Sequence, residues 1–334
     1  MKRLKWDEIE SRDSSKLHLD RNEPQEWTWL HELIQASLEP TDFLEYPDLN
    51  QSYYHVSILE SILPKNILLT SGADDALAQI FKLFSHSNVF MSDPTYKMAE
   101  VHARNYNCDV YKQPFKLKTS KYPDIFYELE CPIPNVKCEI NYFASPDNPT
   151  GQLHNPKLIE ELLINGEVVI IDKTYQQFAE NPTQKYERFL INPKYKLFIV
   201  NTISKTIGAG FKLGWIISHE QNIDNLRQHK LSYEISGIAA KALKCLANNR
   251  YAYYDLGVDT IKRKREIYEL LRKLEIKFIH THTNFVLIEN SKLLKEIFDK
   301  YCYYKIIKID GKEFIKLTVP GRKDLEIFKK KFEV

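Results

Sequence analysis

The strongest constraint on this chain is a rhythm between about residues 67 and 230, where short apolar runs alternate with amphipathic segments. The runs Ile67-Leu68-Leu69-Thr70, Asn88-Val89-Phe90-Met91, Glu139-Ile140-Asn141-Tyr142-Phe143-Ala144, Val168-Val169-Ile170-Ile171 and Leu197-Phe198-Ile199-Val200 are too short for helices and mostly lack polar alternation. Strands of that kind are buried on both faces, which calls for a parallel sheet under helical cover. Asp74 to Phe84 offers such cover, because Leu77, Ile80, Phe81 and Phe84 recur at helical spacing. The expected class is α/β, a large and mostly parallel sheet with helices on both faces.

After a helix-rich stretch from about 222 to 275, strand-like runs return at 283–288, 304–308 and 314–319 around a helix at 291–300, as in a smaller α+β unit. The length of 334 residues suits about two folded units. The expected division is an N-terminal arm over 1–45 packing on the small domain or a partner subunit, a large domain over 46–235 and a small domain over 236–334.

Composition removes several function classes. With 47 basic and 45 acidic side chains the net charge is +2, so no electrostatic footprint for nucleic acid exists, and the basic run at 262–265 reads as a solvated helix face. The five cysteines are odd in number and form no C-x-x-C pair, and the ten histidines show no H-E-x-x-H spacing, which argues against a disulfide framework and a metal site. Reduced cytoplasm is the expected compartment. Met1 to Glu8 lacks the apolar core of an export signal, and no stretch reaches the roughly 18 apolar residues of a membrane span. Tyr251, Tyr253 and Tyr254 read as packing or interface residues.

Polar residues sit at the ends of four of the strands, and open α/β sheets bind ligands in the crevice beyond the carboxyl ends of their strands. Thr70-Ser71-Gly72-Ala73-Asp74-Asp75 joins a strand to a helix whose free N–H groups can hold a phosphate, although Ser71 and Asp74 can equally form a plain capping box. Asp172 ends a strand too apolar to face solvent, so its carboxylate needs a partner; a protonated heterocyclic nitrogen would serve, with the Tyr175 phenol on the same ligand, and a helix cap is the alternative. In Asn201-Thr202-Ile203-Ser204-Lys205 a lysine follows a strand end among hydroxyls, placed to act as an amine nucleophile beside a second cation, Lys212. A lone lysine is ordinarily a surface residue, so the weight rests on the combination. The glycines of Gly208-Ala209-Gly210-Phe211-Lys212-Leu213-Gly214 are misspaced for a dinucleotide fingerprint. In Ser145-Pro146-Asp147-Asn148-Pro149-Thr150-Gly151, Asn148 offers an amide to a ligand oxygen.

Taken in order, these motifs resemble the pyridoxal-phosphate-dependent class I/II aminotransferases of fold type I, and within them the histidinol-phosphate aminotransferases and threonine-phosphate decarboxylases. The resemblance runs from Leu19-Asp20-Arg21-Asn22-Glu23-Pro24 through Tyr46-Pro47-Asp48, Asp93-Pro94-Thr95-Tyr96 and Asp172-Lys173-Thr174-Tyr175 to Thr283-Asn284-Phe285. It implies pyridoxal 5'-phosphate as cofactor, Lys205 as Schiff-base lysine and general base, Asp172 on the pyridine nitrogen, and Asn148 and Tyr175 on the phenolic oxygen. It further implies that the backbone of Ala73 and Asp74, with Thr202, Ser204 and Lys212, holds the cofactor phosphate, and that Tyr96 stacks on the ring. Tyr46 would reach across from a second subunit, so a homodimer is implied. Asn22, Glu23, Asn148, Lys308 and Lys316 would contact the substrate, an amine or amino acid expected to be phosphorylated, with a 2-oxo acid as co-substrate.

The chain departs from the family where Lys212, Lys308 and Lys316 replace arginine, keeping charge without the bidentate fork, and where Lys173 replaces an acid. Transamination is the leading expectation. Decarboxylation of a phosphorylated amino acid is the alternative within the family, and a catalytically inactive binding protein is the alternative from another class.

Overall fold

The computed structural model describes residues 13–119, 126–180, 186–230 and 232–331; Met1 to Glu8, read above for an export signal, lie outside the described residues. A seven-stranded sheet runs in the order Ile67–Thr70, Gly214–Ile217, Leu197–Thr202, Val168–Asp172, Ile140–Ala144, Asn88–Asp93, Asp109–Pro114. Gly214–Ile217 is antiparallel to both neighbours, and the other strands run parallel. All five expected strands of this region are present. Two others were not read from the sequence: the four-residue strand at 214, and the edge strand at 109, whose polar side chains are mostly exposed.

Side chains alternate across a strand, and this alternation divides the apolar runs between two layers. Leu69, Phe143, Val169, Ile171 and Ile199 face one core with Leu30, Ile159 and Leu243. Leu68, Tyr142, Val168, Ile170 and Val200 face the other with Leu77, Ile80 and Phe81 of the helix Gly72–Leu83. The sheet is therefore covered on both faces, as its composition requires.

A six-stranded sheet is built from Lys305–Ile309, Lys312–Thr318, Phe285–Glu289, Phe278–Ile279, Phe126–Glu130 and Lys116–Thr119, in that order. Its last two strands come from within the range assigned above to the large domain. The segment from residue 13 makes two kinds of contact: Leu17–His18 pairs with Cys302–Tyr303, and the helix Trp29–Ser37 buries Leu30 and Ile34 in the first core.

The basic run is not a solvated face throughout. Lys264 is buried in the helix Arg250–Lys273 and donates to the carbonyls of Thr281 at 2.6 Å and Thr283 at 2.8 Å, and the buried Arg263 donates to that of Pro320. Lys173 is buried too, its ammonium 5.4 Å from the centre of the Tyr186 ring. No helix among the described residues is long and apolar enough to cross a membrane.

Candidate active site

The carboxyl ends of the central strands open onto a cavity of about 290 Å³. Lys205 and Asp172 both line it. Asp172 closes its strand between Ala144 and Val200. Its carboxylate, 4% exposed, accepts from the Thr174 amide at 3.0 Å and the Tyr142 phenol at 3.2 Å. Both partners are neutral, and burial pushes the acid above the usual carboxylate range. The carboxylate caps no α-helix, and a cationic nitrogen within the cavity would relieve the cost of burying it.

Lys205 stands in the turn after the strand Leu197–Thr202, its ammonium donating to the Arg21 carbonyl at 3.2 Å. Burial pulls its pKa down, opposed by the carboxylates of Glu23 and Asp74 and reinforced by Lys305. A lowered amine pKa suits a nucleophile.

One end of the cavity is built for an anion. Gly214 pairs with Thr70 on one side and Thr202 on the other, and a Cβ there would lie 2.9 Å from both the Gly72 Cα and the Asn201 carbonyl oxygen. Only glycine admits this approach, which brings the N-terminus of the helix Gly72–Leu83 against the strand bearing Thr202. Ala73, Asp74, Ser204 and Lys212 line the cavity with them, and the hydroxyls of Thr202 and Ser204 lie 2.8 Å apart. Free helix N–H groups, two hydroxyls and an ammonium suit a phosphate. Ser71 does not cap the helix through its side chain. Instead Asp75 accepts from the Ser71 amide at 2.9 Å, and Asp74 accepts from the Tyr96 phenol at 2.8 Å.

The other end belongs to the six-stranded sheet and the N-terminal segment. Lys316 donates to Asn148 Oδ1 at 3.1 Å and lies 4.6 Å from the centre of the Phe285 ring. Tyr175, buried against the edge of Phe285, accepts from Asn22 Nδ2 at 2.7 Å. The cavity thus gathers Asn22, Ala73, Asp74, Tyr96, Asn148, Asp172, Tyr175, Thr202, Ser204, Lys205, Lys212 and Lys316 of the residues expected to form the site.

Three expected residues lie elsewhere. Glu23 lines an adjoining cleft of about 180 Å³ that shares Lys205. Tyr46 is 76% exposed and stacks on Tyr233 with ring centres 4.0 Å apart. Lys308 pairs with Glu313 on the face opposite Lys316, while Lys305 pairs with Lys316 itself and lines the cavity. Of the two lysines, Lys305 lines the cavity and Lys308 does not. A signal for this was available: Asp310-Gly311 is a two-residue hairpin turn, with φ of 45° and 80°, and such a turn places Lys305 opposite Lys316. Asp20 and Arg21, quoted above only as part of a motif, line the same end.

The residues present suit pyridoxal phosphate by their chemistry: an amine of lowered pKa, a buried carboxylate whose hydrogen-bond partners are neutral, and a glycine-lined anion cradle.

Comparison with known proteins agrees with this reading. The chain is 26% identical over 319 residues to a histidinol-phosphate aminotransferase of Brachyspira hyodysenteriae, covering 90% of this chain and 86% of that one. It is 30% identical over 273 residues to one of Christiangramia forsetii, covering 77% and 74%. Among solved structures it resembles the histidinol-phosphate aminotransferase of Sinorhizobium meliloti in complex with pyridoxal-5'-phosphate, at a TM-score of 0.76 and 16% identity over 95% of this chain and 91% of that one. The L-threonine-O-3-phosphate decarboxylase of Porphyromonas gingivalis superposes with a TM-score of 0.75 and 18% identity over 95% and 98%. These neighbours share the fold type I architecture expected from the sequence. The profile of the family described as aminotransferase class I and II matches residues 17–325, and the chain belongs to that family.

Proposed function

We infer that this protein is a pyridoxal-phosphate-dependent transaminase that moves an amino group between a phosphorylated amine, of the histidinol phosphate kind, and a 2-oxo acid. The observation that carries the reading is that Lys205 and Asp172 line one cavity whose two ends are separately cationic, Lys212 at one and Lys305 and Lys316 at the other. Pyridoxal phosphate would be held by Asp172, Asn148, Tyr175, Thr202, Ser204, Lys212 and the backbone at Ala73 and Asp74, and when bound it supplies an electron sink for charge developing at the substrate carbon that bears nitrogen. Asp172 supplies a fixed negative charge for the ring nitrogen. Lys205, of lowered pKa, accepts and returns a proton at its Nζ. Lys305 and Lys316, neighbours across two strands, hold the anionic part of the substrate or the 2-oxo acid.

A homodimer is part of the same reading. Trp27, Trp29, Phe43, Leu44 and Tyr46 are exposed large apolar residues close together in sequence, and a second copy would cover them.

The test is a product assay on a panel of phosphorylated amines and amino acids with 2-oxoglutarate, together with the visible absorbance of the purified protein. Glutamate formation with an absorbance band that Lys205→Ala abolishes supports transamination. Carbon dioxide release without glutamate moves the assignment to decarboxylation, and colourless, inactive protein after cofactor addition removes it.

A further inference from the structure

Asn22 makes a contact that neither cofactor binding nor substrate binding accounts for. The side chain is 2% exposed, and its Nδ2 donates to the Tyr175 phenol oxygen at 2.7 Å. The residue is locked in place from the far end of the chain. Its amide donates to Thr318 Oγ1 at 3.0 Å, its carbonyl accepts from Asn284 Nδ2 at 3.0 Å, and its φ of 57° is the left-handed conformation that asparagine tolerates. Tyr175 is equally constrained, buried with its ring edge-on to Phe285 at 5.7 Å.

A phenol oxygen that accepts from a fixed amide has its single proton left for another acceptor. Tyr175 and Asn22 both line the cavity, so that proton is available to a ligand oxygen there. We propose that Asn22 is a positioning residue: by donating to the Tyr175 oxygen it keeps the phenol proton turned into the cavity, where Tyr175 acts as a donor to the cofactor's phenolic oxygen. This rests on the reading of the cavity given above. It assigns Asn22 a role through Tyr175 in place of the substrate contact expected from the sequence.

The consequence is electrostatic and can be read without turnover. A donor to the phenolic oxygen stabilises its negative charge most when the neighbouring nitrogen has lost its proton, so removing the donor raises the pH midpoint of the cofactor's visible band. The experiment is a spectroscopic pH titration of cofactor-loaded wild type, Tyr175→Phe, Asn22→Asp, Asn22→Gly and the two double variants. Aspartate reverses the bond, since its carboxylate draws the phenol proton toward itself, whereas glycine keeps the left-handed backbone and removes the amide.

The expected result is that Tyr175→Phe and Asn22→Asp each raise the midpoint by about half a pH unit or more, the aspartate partly through its own charge, while Asn22→Gly raises it less and moves it no further once residue 175 is phenylalanine. If Asn22→Asp and Asn22→Gly leave the midpoint in place while Tyr175→Phe shifts it, Asn22 is only a structural lock. A shift from Asn22→Gly that adds to that of Tyr175→Phe in their double variant overturns the proposal equally. No shift in Tyr175→Phe itself removes the cofactor contact of Tyr175, and the role of Asn22 with it.

Discussion

Replacing Lys316 with arginine gives the most direct reading of the anion clamp. Lys316 is 4% exposed, and its ammonium meets a neutral amide oxygen and an aromatic face. Burial first, then the cations of Lys305 and Lys205, push its pKa down to about 7, against the pull of Asp20 and Asp147. Asp147 is itself held up to about 7 by burial, so it offers only part of a charge at neutral pH. An amine is charged below its pKa and neutral above it, so the clamp is at full strength in acid and is lost as pH rises through about 7. The charged fraction falls close to tenfold for each pH unit beyond that point, which predicts that KM for the 2-oxo acid rises about tenfold between about pH 6 and pH 8. Arginine stays charged throughout this range. Initial rates at varied 2-oxo acid concentration, measured for both proteins across that interval, therefore give a ratio of KM values that climbs with pH, because titrations common to both proteins cancel. A ratio independent of pH would refute the argument, since the pH dependence would then arise from a group other than Lys316.

Three further predictions concern the geometry of the cavity. Lys305→Ala raises KM for the anionic substrate severalfold while Lys308→Ala leaves steady-state constants within error, and the opposite pattern would restore the reading from sequence. Gly214→Ala lowers cofactor affinity at least tenfold, measured by absorbance titration, because its methyl group would press on the backbone of Gly72 and Asn201. Asp172→Ala reduces cofactor retention on gel filtration and kcat by orders of magnitude, far beyond the effect of Tyr175→Phe; equal, small losses would show that the buried carboxylate does not face the ring nitrogen.

Much of the fold was legible because the central strands are so apolar that only burial on both faces accommodates them. The same runs end in Asp172 and, a few residues past Val200, in Lys205, so strand ends pointed to two residues that line the cavity, while their expected roles came from the resemblance. What stayed hidden depends on pairing between distant segments. Lys305 and Lys308 look interchangeable until hairpin register is fixed, and a one-residue slip sends a side chain to the opposite face. Lys264 reads as part of a solvated charged run because the carbonyls of Thr281 and Thr283 that hold it lie on another element. Gly214–Ile217 is too short for periodicity to identify, and the strands at 116 and 126 carry no mark that they leave one sheet for another. Asn22 was recognised as a site residue by its motif, but its bond to Tyr175 spans 153 positions and cannot be inferred from local pattern.

The attachment of Asn22 to Thr318 and Asn284 has a bearing on biosynthesis. A ribosome delivers the first of these residues almost three hundred positions before the last, so the large sheet can assemble while one wall of the pocket still lacks its fastening. Competence to hold a ligand is thus deferred until the closing strand, Lys312–Thr318, emerges.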